Sequence, residues 1–84
     1  MNDKMYYVAI FHPEEKGYSI SIPDLNGCFT QGDTMDEALK MTKEAIELYL
    51  EGEDVYPTPS AIETLQIDND DFGVIVKFNK KCNK

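Results

Sequence analysis

Met5-Tyr6-Tyr7-Val8-Ala9-Ile10-Phe11 is an unbroken apolar run of seven residues, rich in β-branched and aromatic types. A run of that length and composition reads as a strand covered on both faces, so it belongs inside a sheet. His12-Pro13-Glu14-Glu15-Lys16-Gly17 follows as a turn with proline and glycine near its ends. Tyr18-Ser19-Ile20-Ser21-Ile22 then alternates apolar and polar residues with the period of a half-buried hairpin partner. Pro23-Asp24-Leu25-Asn26-Gly27 breaks the ladder, because proline lacks a donor N–H and Asn-Gly readily takes positive φ. A short third strand over Cys28 to Gln31 completes a meander.

At Thr34 the period changes. Thr34 with Glu37 three residues on forms a capping box, and Asp36 adds negative charge to the first helical turn. Ala38, Leu39, Thr42, Ala45, Ile46, Tyr49 and Leu50 recur at threes and fours, while Asp36, Lys40, Lys43, Glu44, Glu47 and Glu51 line the other side. Asp36/Lys40 and Lys43/Glu47 are spaced within helical reach. The pattern predicts a helix from about Met35 to Glu51, stopped by Gly52 and followed by a loop through Pro57 and Pro59. After a weak segment, Ser60 to Ile67, and the polar turn Asp68-Asn69-Asp70-Asp71, a last strand runs over Gly73 to Phe78.

A strand after a helix after a meander most simply returns parallel to the first by a right-handed crossover. The expected class is therefore α+β, with sheet order 3-2-1-4 and one helix on one face. One helix covers one side, which leaves strand one presenting apolar groups to the other; self-association, a partner, or folding of a loop or the tail over that face would each satisfy it.

The 84 residues make room for one domain, with nine aromatics to fill a small core. The division expected is a body over residues 1–79 and a lysine-rich tail over 80–84. Eight Lys and Arg against sixteen Asp and Glu leave a net charge of -8, which repels phosphate backbones and favours a basic partner or plain solubility. Direct nucleic-acid binding by this body is not expected. Cys28 and Cys82 fit no CxxC spacing, so neither a disulfide framework nor a zinc site is signalled. No stretch approaches a membrane span or a signal peptide, and a cytoplasmic location is the expectation.

His12 is the sole histidine, abuts a turn proline, and has no nucleophile motif beside it. Asp68 to Gly73 begins like a calcium loop, but Phe72 stands at the fifth ligand position and Asn79 where a bidentate Glu is needed. No phosphate-cradling glycine motif occurs. The reading is of a chain without metal, cofactor or catalytic residues.

The stretch GYSISIPDLNGCFTQGDT over residues 17–34, followed by Asp36-Glu37-Ala38 and Lys43-Glu44-Ala45-Ile46, closely resembles the N-terminal domain of HicB antitoxins, and with flanking strands the resemblance spans about residues 5–79. That resemblance implies a partial, degraded ribonuclease-H-like βββαβ fold. A working enzyme of that fold needs an acidic metal ligand on its central strand, and Met5 to Phe11 has none. The implied function is an antitoxin that binds and neutralises a HicA-type mRNA-degrading ribonuclease by masking its active site. An orphan module binding another protein or a small ligand is the alternative, and a residual nuclease using loop carboxylates the enzyme-class rival. Many HicB proteins carry a further DNA-binding domain, for which residues 79–84 leave no room; a short form is the expectation, with a DNA-binding part encoded elsewhere or a truncated gene as the alternatives. Family members commonly assemble, so a homo-oligomer is expected.

The resemblance directs the partner-binding expectation to the loop that carries its signature: Pro23, Asp24, Leu25, Asn26 and Gly27, with neighbouring Tyr18, Phe29 and Asp33. The structural alternative is that Pro23 and Gly27 shape the turn, Gly32 and Asp33 prepare the helix start, and Cys28 packs as a small apolar residue.

Overall fold

The computed structural model describes residues 4–53 and 55–79. Strands β1 (Lys4–Pro13), β2 (Tyr18–Ser21) and β3 (Phe29–Gly32) precede helix α1 (Met35–Leu50), and strand β4 (Phe72–Asn79) closes the sheet. The order is β3-β2-β1-β4. The apolar run is central, as its two-sided character requires: Tyr7, Val8, Ala9 and Phe11 are each fully buried.

One expectation is corrected. β4 runs antiparallel to β1, in an unbroken register from Lys4↔Asn79 to Phe11↔Phe72, where a parallel return was expected. The reason lies in the connection over 51–71, which is more than a loop back to the sheet. α1 starts beside the Gly32 end of β3 and travels back about 24 Å, from its 16 residues at 1.5 Å rise. The following segment then retraces that length. It is fixed where the Tyr7 hydroxyl donates to the Pro57 carbonyl (2.6 Å) and where Ser60 bonds Asp24. Beyond Ser60 it lies against the other face, a one-turn 3-10 helix at Ile62–Thr64 included, with the Ile62 and Ile67 methyls over Gly73. β4 therefore starts at the end of the sheet where β1 finishes.

The helix forms where its cap is written. Thr34 Oγ1 accepts from the Glu37 N–H (3.1 Å), and the Glu37 carboxylate accepts from the Asp33 N–H (2.8 Å). Ala38, Thr42, Ile46 and Leu50, spaced by four, are its buried stripe, while Leu39 and Tyr49 sit at the margin. Thr42 is tolerated inside because its hydroxyl donates back to the Ala38 carbonyl (2.7 Å). Gly52, at φ +84°, ends the element. The pairs Asp36/Lys40 and Lys43/Glu47 stay open; the ion pairs among the described residues are those of His12.

The core lies between α1 and one sheet face. Tyr7, Ala9 and Phe11 of β1 meet Ile20 of β2, Val76 and Phe78 of β4, and Ile22, Leu25 and Cys28 of the β2–β3 loop. Tyr7 stacks on Phe78 with ring centroids 5.6 Å apart, and Phe11 contacts Tyr18 and Phe72. Self-covering of the second face is thus partial. Val8 points away from the helix and is buried all the same, on the side where the Ile62–Ile67 segment lies.

Candidate functional site

The antiparallel registers fix which residues share the open face. Ile10 opposes Ser21 and His12 opposes Ser19, while Ser21 opposes Phe29 and Ser19 opposes Gln31. These side chains line a shallow groove of about 360 Å³ on the part of the sheet that the crossing segment leaves uncovered. Its lining mixes hydroxyl and amide groups with apolar ones from Ile10, Ile20 and Phe29. Phe29 is a large apolar side chain 72% exposed at the edge of the sheet.

His12 and Asp71 close the groove at one end. Nδ1 of His12 meets the Asp71 carboxylate at 2.5 Å, and Nε2 lies 3.9 Å from Glu14, which also accepts from the Ser19 hydroxyl (2.9 Å). The hydrogen bond to Asp71 and then its negative charge raise the His12 pKa above 6.5. The Ser19 hydroxyl thus donates to a carboxylate and not to the imidazole.

The residues expected to contact a partner divide into three groups. Tyr18 and Leu25 belong inside: Tyr18 is half-buried with its ring edge-on to Phe72, and Leu25 is 1% exposed within the core. Leu25 is turned inward because the loop is stitched by main-chain bonds, Leu25 N–H to Ile22 carbonyl (3.0 Å) and Cys28 N–H to Leu25 carbonyl (2.9 Å). Asp24 is half-buried and fully engaged, its two oxygens accepting from the backbone and hydroxyl of Ser60. Pro23, Asn26, Gly27, Phe29 and Asp33 are exposed. Gly27 takes φ +80°, as the Asn-Gly turn demanded, and the Asn26 carbonyl accepts from the Tyr49 hydroxyl (2.9 Å). Pro23, Asn26, Gly27 and Phe29 lie together at one end of β3; Asp33 lies past the other.

Reasoning from the sequence missed Ile10, Ser19, Ser21 and Gln31 as neighbours of Phe29. The signal was present in the serines of β2, whose alternation marks the face turned to water. A second exposed region is acidic: Glu44, Glu47 and Glu51 surround Leu48, which is 71% exposed on the outer side of α1. The Cys28 thiol, 3.9 Å from the Ala45 carbonyl, is buried and its pKa pushed up by that burial. Cys82 and the lysines at 80, 81 and 84 lie outside the described residues. Among the described residues no three His, Cys, Asp or Glu side chains are grouped to hold a metal, and no helix is long and apolar enough to cross a membrane.

Fold and surface together define a small α+β domain with one sheet face sealed by a helix and the other half open. The chain belongs to the HicB-like antitoxin family of bacterial toxin-antitoxin systems, whose model matches residues 6–80. Antitoxin HicB 1 of Photorhabdus laumondii is 37% identical over 67 residues, covering 75% of this chain and 43% of its own length. The crystal structure of the N-terminal domain of Burkholderia pseudomallei antitoxin HicB matches with TM-score 0.71 at 31% identity, covering 86% of this chain and 95% of that one. A chain of a toxin-antitoxin complex from Streptococcus pneumoniae matches at TM-score 0.74 and 22% identity over 88% of this chain and 68% of its own, a likeness of fold alone. This chain spans 36% of the length of a matching protein from Haemophilus phage HP1, so several of the relatives it matches are much longer.

Proposed function

We propose that this chain is an antitoxin that works by covering a small basic ribonuclease of the HicA type, masking the toxin's active site, and that it catalyses nothing itself. The observation that carries the reading is membership of the HicB-like antitoxin family over residues 6–80. Two features of the chain support it. The net charge of -8 suits a basic partner, for which opposite charge speeds encounter more than it tightens the final complex. The apolar groups of β1 and β4 that face the helix are consumed by the core, and the central strand brings no carboxylate to either face.

The toxin-facing surface in this proposal is the open part of the sheet together with the exposed side of the β2–β3 loop: Phe29 as the anchor, with Pro23, Asn26 and Gly27 at its rim. Asp33 joins only a partner that reaches past the far end of β3. An exposed aromatic beside apolar Ile10 and Ile20, with hydroxyl and amide groups around them, has the make-up of an interface centre with a polar surround. A standard interface takes about 800 Å² per partner, roughly 13% of the 5963 Å² that this chain exposes.

Co-expression tests the reading. A small basic ribonuclease encoded beside this gene should arrest growth when induced alone, and growth should return when this chain is made with it. Continued arrest, with both proteins present at equal levels, would refute the antitoxin role.

A further inference from the structure

The open part of the sheet is shaped by three strands whose side chains differ in height. In register, Ile10, Ser21 and Phe29 form one row across it and His12, Ser19 and Gln31 the next. The serines of β2 are short and make a floor, with the β1 side chains standing on one side and the β3 side chains on the other. These walls are two strand spacings apart, roughly 10 Å between backbones. A helix with its side chains is about 10–12 Å across, so the channel admits one extended side chain and no helix.

Its two ends differ in chemistry. The end beside Ile10 and Phe29 is apolar. At the other the His12 imidazole lies between two carboxylates, Nδ1 2.5 Å from Asp71 Oδ1 and Nε2 3.9 Å from Glu14 Oε2. Among the described residues Asp71 engages Oδ1 alone and Glu14 Oε2 alone, which leaves each with an oxygen to accept from a ligand. The Asp71 side chain is only 13% exposed, and Asp70 adds its negative charge at His12. One imidazole therefore faces three carboxylates. The two rows are about 7 Å apart, a distance bridged by the stem of a long basic side chain, which lies along apolar surface while its charged head reaches polar groups.

We propose that this channel receives an arginine side chain of the partner, its stem over Ser21 between Ile10 and Phe29 and its guanidinium between Asp71 and Glu14. A guanidinium fits better than an ammonium because its planar fork of donors engages two carboxylates at once. Seating it sets a second cation beside His12, so the imidazolium gives up its proton as the ligand enters, and the site binds more tightly on the alkaline side of the His12 titration. That the partner is a basic ribonuclease rests on the antitoxin reading; the site is tested without it.

N-Butylguanidinium reproduces stem and head. Titrated into the full chain at about pH 8, where the imidazole is largely neutral, it should shift the amide resonances of Ile10, Ser19 and Phe29 saturably in the millimolar range. It should also move the His12 titration to lower pH. Butylammonium should bind more weakly, and Asp71→Asn should weaken the guanidinium by about tenfold through loss of a charged acceptor. Ser21→Ile raises the floor and touches no charge; it should abolish the shifts while the His12 titration without ligand stays that of the parent. Glu44, Glu47 and Glu51 on the outer side of α1 are as acidic but form no such channel. Shifts as large at those three residues, saturation unchanged by Ser21→Ile, or no saturable shift at tens of millimolar would overturn the site. A neighbouring ribonuclease that binds Ser21→Ile as tightly as the parent would overturn the arginine's place in the interface. Saturation by butylguanidinium with no binding of that ribonuclease to the parent would uphold the site and count against the antitoxin reading alone.

Discussion

Asp24 and Ser60 meet across 36 residues of chain, the Asp24 carboxylate accepting from both the Ser60 N–H and its hydroxyl at 2.7 Å. The contact ties the β2–β3 loop to the segment that carries the chain from the helix side of the sheet to the other. Removing the acceptor strands a half-buried N–H, which costs about 1–3 kcal/mol. Asp24→Ala should therefore lower the unfolding free energy by that amount, seen as a lower urea midpoint at unchanged slope, and Asp24→Asn, which keeps one acceptor, by less. An Asp24→Ala variant as stable as the parent would remove the clasp from the account.

The second clasp depends on pH. His12 is paired with Asp71 across 59 residues, and the raised pKa means that the folded chain holds the imidazole proton more tightly than the unfolded chain does. The stabilisation is fully present below the unfolded value of about 6.5 and is lost as pH rises through the higher folded value. The stability gap between the parent and His12→Gln should accordingly be widest near pH 6 and shrink on the alkaline side. The imidazole proton resonance should titrate above 6.5 in the parent and at a lower pH in Asp71→Asn. Stability curves that stay parallel across this range would contradict the assignment.

Gly32 makes the close approach between β3 and α1. A Cβ at this position would lie 2.6 Å from both the backbone N and the Cα of Ala38, neither of which can rotate aside. Gly27 differs: its φ is +80° but nothing lies within 4 Å of its missing Cβ. Gly32→Ala should cost at least about 2 kcal/mol through overpacking, against about 1 kcal/mol for Gly27→Ala through backbone strain. Thermal unfolding of the two variants checks the order, and equal losses would mean that the strand and helix can separate freely.

These clasps also mark what could be read from residues alone. The central strand was legible because only a two-sided environment accepts seven apolar residues in a row, and the helix because Thr34 and Glu37 write its cap. The direction of β4 was not. It is set by Tyr7 on Pro57 and Asp24 on Ser60, contacts between residues that belong to no periodic pattern. Within the β2–β3 loop, Pro23 and Gly27 announce a turn, but nothing in a turn sequence tells inside from outside. Leu25 and Tyr18 were expected at a surface and belong to the core, whereas the exposure of Phe29 follows from its register with Ser21.

Phe29 offers a test that separates folding from binding. With 72% of its surface exposed, Phe29→Ala should leave stability within about 0.5 kcal/mol of the parent. As the anchor of the proposed interface it should weaken the toxin complex by about 2 kcal/mol, or roughly 30-fold in Kd. Calorimetric titration of the parent and variant gives both affinities; an unchanged Kd would move the interface elsewhere on the surface.

The central claim is that this chain neutralises by covering, and the most direct measurement is a titration of the purified protein into the neighbouring basic ribonuclease, following RNA cleavage and complex mass in the same samples. The account predicts that cleavage falls in proportion to added protein and ends at a fixed ratio with a stable complex, while this chain alone, with magnesium or manganese, leaves RNA intact. Cleavage that continues undiminished with no complex formed, or RNA degraded by this chain by itself, would contradict it.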